Sequence, residues 1–215
     1  MSRAAFGVRS HSGWAALVVI GGPTAEPAIL GRQRIELTGE GHPKQPYHEA
    51  EPLKLKEADA LIRLCNQASR GLAVRAFRGA MGALRRDGHE VVGCGLLLAS
   101  GRALPGLAEV LASHALIHAA EGEMFREALR VASKTCDLPL TEVKERELWE
   151  RCEAALRLPL PGLKRRLADW GRSLGPPWRQ DEKYAALVGW LALATRPASS
   201  SRNRPGPSSG ERPAP

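Results

Sequence analysis

An uninterrupted apolar run, VVGCGLLLA at residues 91–99, constrains the fold more than any other segment of this sequence. A strand with one face in solvent alternates apolar and polar side chains, whereas this run contains no charged residue. Such a run predicts a strand that is covered on both faces. A sheet covered in this way needs helices on both of its sides, which indicates an α/β architecture.

Three shorter apolar segments precede this run, at residues 4–9, 13–20 and 28–37. Gly and Pro residues at 21–23 separate the second segment from the third. Short apolar stretches with such breaks predict a meander of three strands.

Helical and strand patterns alternate in the rest of the chain. Apolar residues spaced three or four apart predict a helix over 54–87. Further helices are predicted over 106–112, 114–135, 147–156, 163–170 and 181–194, the last with Asp181 and Glu182 at its positive end. Three glycines weaken the first of these helices and could bend or divide it. Ser113 is placed to cap the helix that starts at His114. A short strand is predicted over 140–144. The order predicts an α/β fold with a five-stranded mixed sheet, built from the meander and two crossover strands and flanked by helices.

Charge and composition divide the chain into two parts. Hydrophobic residues make up 43% of the sequence, which is enough for a core and excludes fibrous and wholly disordered proteins. Residues 1–195 form the predicted domain. Residues 196–215 contain no large apolar side chain, so we expect a disordered Pro/Ser/Arg-rich tail. Of the formal net charge of +8, the tail carries +3 (four Arg, one Glu) and the domain carries +5.

The sequence also limits the cellular setting. No apolar run approaches the roughly 20 residues that cross a bilayer, so no membrane span is predicted. The four cysteines form no C-x-x-C pair, which argues against a zinc ribbon. Scattered thiols in a chain with a good core favour a reduced, cytoplasmic protein.

The order of elements resembles the ribonuclease-H-like superfamily, and most closely its RuvC-type resolvase domains. GVRSHSGW at 7–14 resembles their first β-turn-β, and EGEMFREAL at 121–129 resembles the helix after the fourth strand. LPLTEVKEREL at 138–148 resembles the fifth strand and its exit, and DEKYAALVGWLALA at 181–194 resembles the last helix. The resemblance covers residues 4–195 and extends to uncharacterised bacterial proteins of this fold.

In the nucleases of this superfamily, acidic side chains from the first strand, the fourth strand and the last helix bind two Mg²⁺ ions. Here Arg9 stands at the position of the first-strand aspartate, and the predicted fourth strand contains no acid. Only Asp181, with Glu182 beside it, remains of the expected set. Because a cationic side chain repels Mg²⁺, the resemblance implies a degenerate nuclease in which ordinary two-metal activity is not expected.

One helix carries ionisable residues in a stripe. His114, His118 and Glu121 stand at i, i+4 and i+7, on the same arc as the apolar residues that should face the core. Two imidazoles and a carboxylate could bind a divalent metal, with all three residues as ligands. They could also provide acid–base catalysis, for which His118, Glu121 and Asp181 are the candidates. The alternative is that the histidines are ordinary core or edge residues and that Glu121 caps a backbone group.

A second candidate site is the turn containing Arg9, His11 and Ser12. The resemblance places this turn beside Ser100 and Arg102, at strand ends where open α/β sheets bind ligands. The two guanidinium groups could bind a phosphate. The alternative is that each arginine pairs with a local acid such as Asp181.

The loop before the last helix offers a third set of contacts. Trp178 could stack on a base while Lys183 binds phosphate. The alternative is that Trp178 anchors the loop onto the core.

These patterns support three functions. The first is a nucleic-acid-binding protein, or one that binds another phosphate-bearing anion, on a ribonuclease-H-like fold. The second is a non-catalytic protein-interaction module. The third is a metal-dependent hydrolase that uses His114, His118 and Glu121. The sequence leaves open whether the protein is an enzyme and whether a divalent metal is its cofactor.

Overall fold

A computed structural model describes residues 1–99 and 103–195 of the protein. Its five strands form one mixed sheet in the order β3-β2-β1-β4-β5. The strands are β1 (Ser2–His11), β2 (Trp14–Gly21), β3 (Ala28–Glu36), β4 (His89–Leu98) and β5 (Leu140–Lys144). β1, β2 and β3 form the antiparallel meander, while β4 and β5 run parallel to β1. The predicted fold class is therefore confirmed.

Seven α-helices of the described residues connect and cover the strands. They are α1 (Pro46–Ala50), α2 (Leu55–Arg86), α3 (Leu107–Leu111), α4 (His114–Thr135), α5 (Leu148–Leu156), α6 (Leu160–Leu174) and α7 (Gln180–Ala194). α2 runs without a break through its three glycines. α4 starts at His114 as predicted, but the Ser113 side chain makes no cap hydrogen bond. Among the described residues, no helix is both long enough and apolar enough to cross a membrane.

The two faces of the sheet have separate cores, and β1 shows how its sequence supplies both. Ala4, Phe6 and Val8 point to the side covered by α2 and α4. Ala5 and Gly7 point to the side covered by α7. A Cβ on Gly7 would lie 1.8 Å from the Ala185 carbonyl oxygen, so only glycine lets α7 approach β1 this closely. Arg9 continues the second series, so its side chain lies on the α7 side.

Three predicted features fall where the structure makes no statement. Ser100 and Arg102 lie outside the described residues, as does the predicted tail at 196–215.

Candidate functional site

The end of β1 holds a cluster of charged side chains, which we call the Arg9 cluster: Arg9, His11, Glu145 and Asp181. Arg9 Nη2 donates to Glu145 Oε2 over 3.1 Å. Arg9 Nη1 lies 3.3 Å from Asp181 Oδ1, on the first turn of α7. His11 Nε2 is 2.9 Å from the same Asp181 oxygen. A guanidinium group thus sits between two carboxylates where the resemblance placed a metal-binding aspartate.

The rest of the Arg9 environment also accommodates a cation. Its guanidinium carbon lies 5.1 Å from the centre of the Tyr184 ring, which is a cation–π contact. Only 18% of the side chain is exposed. Nη1 is buried and, despite its short distance to Asp181, is not aligned for a hydrogen bond.

This geometry bears on two expectations from the sequence, phosphate binding by Arg9 and the lack of ordinary two-magnesium activity. Arg9 pairs with Asp181, which is the alternative to a free phosphate-binding guanidinium. The two carboxylates near it already have cationic or hydrogen-bonding partners, and Arg9 fills the space between them. These residues therefore do not fit a two-magnesium centre, which requires several carboxylates that converge on the ions.

The remaining described residues of the predicted anion site lie outside the Arg9 cluster. Ser12 is exposed in the β1–β2 turn, and Lys183 is half-buried in the first turn of α7. Trp178 Nε1 donates to the Leu167 carbonyl over 2.8 Å, and its ring packs against Gly171. The indole therefore holds the loop against α6, as in the anchoring alternative.

A second cluster lies where α1 meets the start of α4. His48, His114 and His118 each offer a ring nitrogen, and these atoms lie within 4.8 Å of one another. His114 Nε2 and His118 Nε2 are 3.0 Å apart. Within the described part of the chain, this imidazole cluster is the one group of three potential metal ligands that approach so closely.

Glu121 lies directly behind the imidazole cluster. Its side chain is 1% exposed, and Oε2 is 2.9 Å from His48 Nδ1. Oε1 accepts hydrogen bonds from the backbone N–H groups of Tyr47 (3.1 Å) and His48 (3.5 Å), in the first turn of α1. Burial, and secondarily the Glu121 carboxylate, raises the pKa of Tyr47. Glu121 therefore both caps α1 and fixes the ring of His48.

The structure changes the predicted ligand set of His114, His118 and Glu121. Both histidines are exposed rather than directed into the core. On this part of α4 the buried positions are Ile117 and Ala120, and Glu121 bonds to α1. The third imidazole is that of His48, and Glu121 contacts it from behind. His48 lies in the polar segment 38–52, which also contains His42, and nothing local in the sequence indicated its pairing with Glu121.

A third feature is a basic surface on α2 that sequence reasoning missed. From residue 63 to residue 86 the helix contains six arginines and no acid. All six are exposed, and we call this surface the arginine face: Arg63, Arg70, Arg75, Arg78, Arg85 and Arg86. At about 100° per residue they occupy an arc of roughly 160°, separate from the arc of the buried Cys65, Ser69 and Ala73. Only Arg63 forms a salt bridge with an acid of the described residues, namely Asp59.

The comparisons with known proteins give similarity to solved structures only. The chain resembles Thermus thermophilus RuvC in complex with a Holliday junction substrate, with 12% identity, a TM-score of 0.47, and coverage of 88% of this chain and 91% of that one. It also resembles a second Thermus thermophilus RuvC structure, with 12% identity, a TM-score of 0.46, and coverage of 87% and 92%. Neither a protein-family model nor a curated protein matches the chain. At this identity the resemblance concerns the fold alone.

Proposed function

We propose that this protein binds the phosphate backbone of nucleic acid through the arginine face of α2, without two-magnesium nuclease activity. The observation that carries the proposal is the acid-free stretch of α2 with its six exposed arginines. Five of them make no salt bridge with an acid of residues 1–99 or 103–195. Unpaired guanidinium groups on one surface are the usual electrostatic footprint of a nucleic-acid partner.

The dimensions of the arginine face suit a duplex. Arg63 and Arg86 are separated by 23 residues of helix, which corresponds to about 34 Å at 1.5 Å per residue. One turn of B-form DNA has about the same length. Side chains spread along this distance can contact several successive phosphates, and each contact releases condensed counterions.

The glycines of α2 give independent support. A Cβ at Gly79 would have no heavy atom within 4 Å, and those at Gly71 and Gly82 would meet only the tips of Arg75 and Arg86. Glycine inside a helix costs about 1 kcal/mol relative to alanine. Packing within the described chain therefore does not explain these three positions. A partner backbone that approaches α2 closely would explain them, since a missing Cβ permits such an approach.

The Arg9 cluster supports the second half of the proposal. Magnesium ions need several oxygen ligands that are free to bind them. Here Glu145 and Asp181 contact the Arg9 guanidinium, and Asp181 also contacts His11. We therefore propose that the sheet end stabilises the fold and that binding takes place on α2.

Fluorescence anisotropy with a labelled duplex, a single strand and a four-way junction tests the proposal. A variant combining Arg70→Gln, Arg75→Gln and Arg85→Gln removes three charges from the arginine face. The matched control combines Lys164→Gln, Arg165→Gln and Arg172→Gln, three exposed positions on α6 across the sheet. The first variant should bind at least about tenfold more weakly at low salt, whereas the control should bind like the wild type.

Two results would overturn the proposal. Absence of salt-sensitive binding to all three nucleic acids would leave the protein-interaction module as the better account. Cleavage of a nucleic acid with Mg²⁺ or Mn²⁺, abolished by Asp181→Asn, would show that the sheet end is a nuclease centre after all.

A further inference from the structure

We propose that His48, His114 and His118 bind one Zn²⁺ ion, with Glu121 as the residue that positions His48. The proposal does not depend on nucleic-acid binding. Its basis is that three imidazole nitrogens from two separate segments lie within 4.8 Å of one another. Imidazole is a preferred ligand of Zn²⁺, whereas Mg²⁺ and Ca²⁺ prefer oxygen.

Glu121 decides which nitrogen of His48 is available. A carboxylate only accepts hydrogen bonds, so His48 Nδ1, 2.9 Å from Glu121 Oε2, must carry the proton. Nε2 then carries the lone pair, as a metal ligand requires. Zinc-binding histidines commonly donate their second ring nitrogen to a carboxylate in this way, which fixes the ring and increases its basicity.

The spacing of the imidazole cluster suits a four-coordinate ion. Zinc binds histidine nitrogen at about 2.0–2.1 Å, which places tetrahedral ligand atoms about 3.3 Å apart. His114 Nε2 and His118 Nε2 are 3.0 Å apart, and the third nitrogen lies within 4.8 Å of both. Small side-chain movements at these exposed positions bring all three to the required distance.

Glu121 itself is a buried carboxylate with defined partners, which distinguishes the cluster from a chance group of surface histidines. It is 1% exposed and accepts from His48 Nδ1 and from two amides of α1. α1 is also held by a small apolar cluster containing Ala50, Ala58 and Ile62. His48 is therefore presented to α4 in a fixed position.

The proposed ion would have three protein ligands and one position open to solvent. A water molecule or an anionic group can occupy that position, because two of the three imidazoles are exposed. Binding would also fasten α1 to the start of α4. The site thus has three protein ligands, as catalytic zinc sites do. It also links two segments that are distant in sequence.

The test is a titration of chelator-treated full-length protein with Zn²⁺ by calorimetry, together with visible absorption of the Co²⁺ form. We expect one Zn²⁺ per chain at submicromolar affinity and the absorption of tetrahedral Co²⁺. Glu121→Gln should weaken binding about 10–100-fold, and His118→Ala at least as much. His42→Ala is the matched control, since His42 belongs to the same segment as His48 but lies outside the cluster.

Circular dichroism of the metal-free variants checks the fold. His118 is exposed, so its replacement should leave the spectrum and Tm of the metal-free protein unchanged. The proposal is wrong if the wild type binds no Zn²⁺ at submicromolar affinity. It is also wrong if His42→Ala weakens binding as much as His118→Ala, because binding would then be unspecific.

Discussion

Arg9 Nη1 lies 3.3 Å from Asp181 Oδ1, so the first strand and the last helix meet through an ion pair. The resemblance seen in the sequence predicted a metal-binding acid at position 9 and another at Asp181. Because Arg9 occupies the first of these positions, its guanidinium rather than a metal ion neutralises the Asp181 carboxylate. The cluster joins three parts of the chain, since Glu145 follows β5.

Arg9→Met should lower the free energy of unfolding by about 1–2 kcal/mol, because it leaves the half-exposed Glu145 and Asp181 without their shared cation. Arg9→Asp should lower it further, and the Tm of that variant should then rise with Mn²⁺ or Mg²⁺. Urea unfolding and thermal melts with and without the ions measure both effects. Arg146→Met is the control, since Arg146 is exposed in its pair with Glu147. A wild-type Tm that rises with Mg²⁺ as much as that of Arg9→Asp would contradict this account.

Gly7→Ala and Gly79→Ala should change stability in opposite directions. A Cβ on Gly7 would lie 1.8 Å from a backbone oxygen of α7, so we expect a loss of about 3 kcal/mol or more. A Cβ on Gly79 would meet nothing within 4 Å, so we expect a gain of about 0.5–1 kcal/mol. Denaturant unfolding curves of the two variants measure both changes. A neutral Gly7→Ala variant would show that α7 does not pack on β1 as described.

The fold was predictable because its signals are local. The apolar run at 91–99 indicated a strand buried on both faces, and β4 is that strand. The residues predicted for the fifth strand are those of β5. Breaks at Gly and Pro separated the strands of the meander, helix periodicity located α2, and the predicted ranges of α4 and α7 agree with the structure.

The candidate sites were less predictable, because they depend on contacts between distant residues. His48 meets α4 through Glu121, 73 positions away in sequence, and through the rings of His114 and His118. The partners of Arg9 lie 136 and 172 residues further along the chain. The arginine face, in contrast, could have been found from the sequence, since six arginines without an acid over 24 residues is a visible pattern.

Cysteine reactivity tests how tightly the two cores, one on each face of the sheet, are packed. Burial raises the pKa of Cys94 and of Cys152 to about 12, so their reactive thiolates are scarce near neutral pH. Burial also raises the pKa of Cys136, but that side chain is partly exposed. In native protein at pH 8, iodoacetamide should modify Cys136 slowly and the other two hardly at all, whereas all should react in denaturant. Mass spectrometry of tryptic peptides measures the rates, and equal rates for Cys94 and Cys136 in the native state would count against the packing.

Stability should depend on pH through Glu123. Burial raises the pKa of this carboxyl, but hydrogen bonds from Arg130 and Arg126 outweigh burial and hold it below its ordinary value of 4.5. Because the unfolded chain takes up this proton more readily, the stabilisation is complete above pH 4.5 and is lost as pH falls through the lower, folded-state pKa.

Glu123→Gln should therefore reduce the free energy of unfolding at pH 7, and the difference from wild type should shrink as pH falls below 4.5. Urea unfolding at a series of pH values measures this difference. Glu109→Gln is the control, because Glu109 is exposed and forms no salt bridge with the described residues. A difference that stays constant from pH 7 to pH 3 would exclude this role of Glu123.

The salt dependence of duplex binding tests the central claim, that the arginine face contacts the phosphate backbone, most directly. Each phosphate contact on B-form DNA contributes about −0.9 to the slope of log K against log salt concentration. The slope of the Arg70/Arg75/Arg85→Gln variant should be shallower than that of the wild type by about 2 to 3, whereas the α6 control should match the wild type. Identical slopes for the wild type and the α2 variant would contradict the claim.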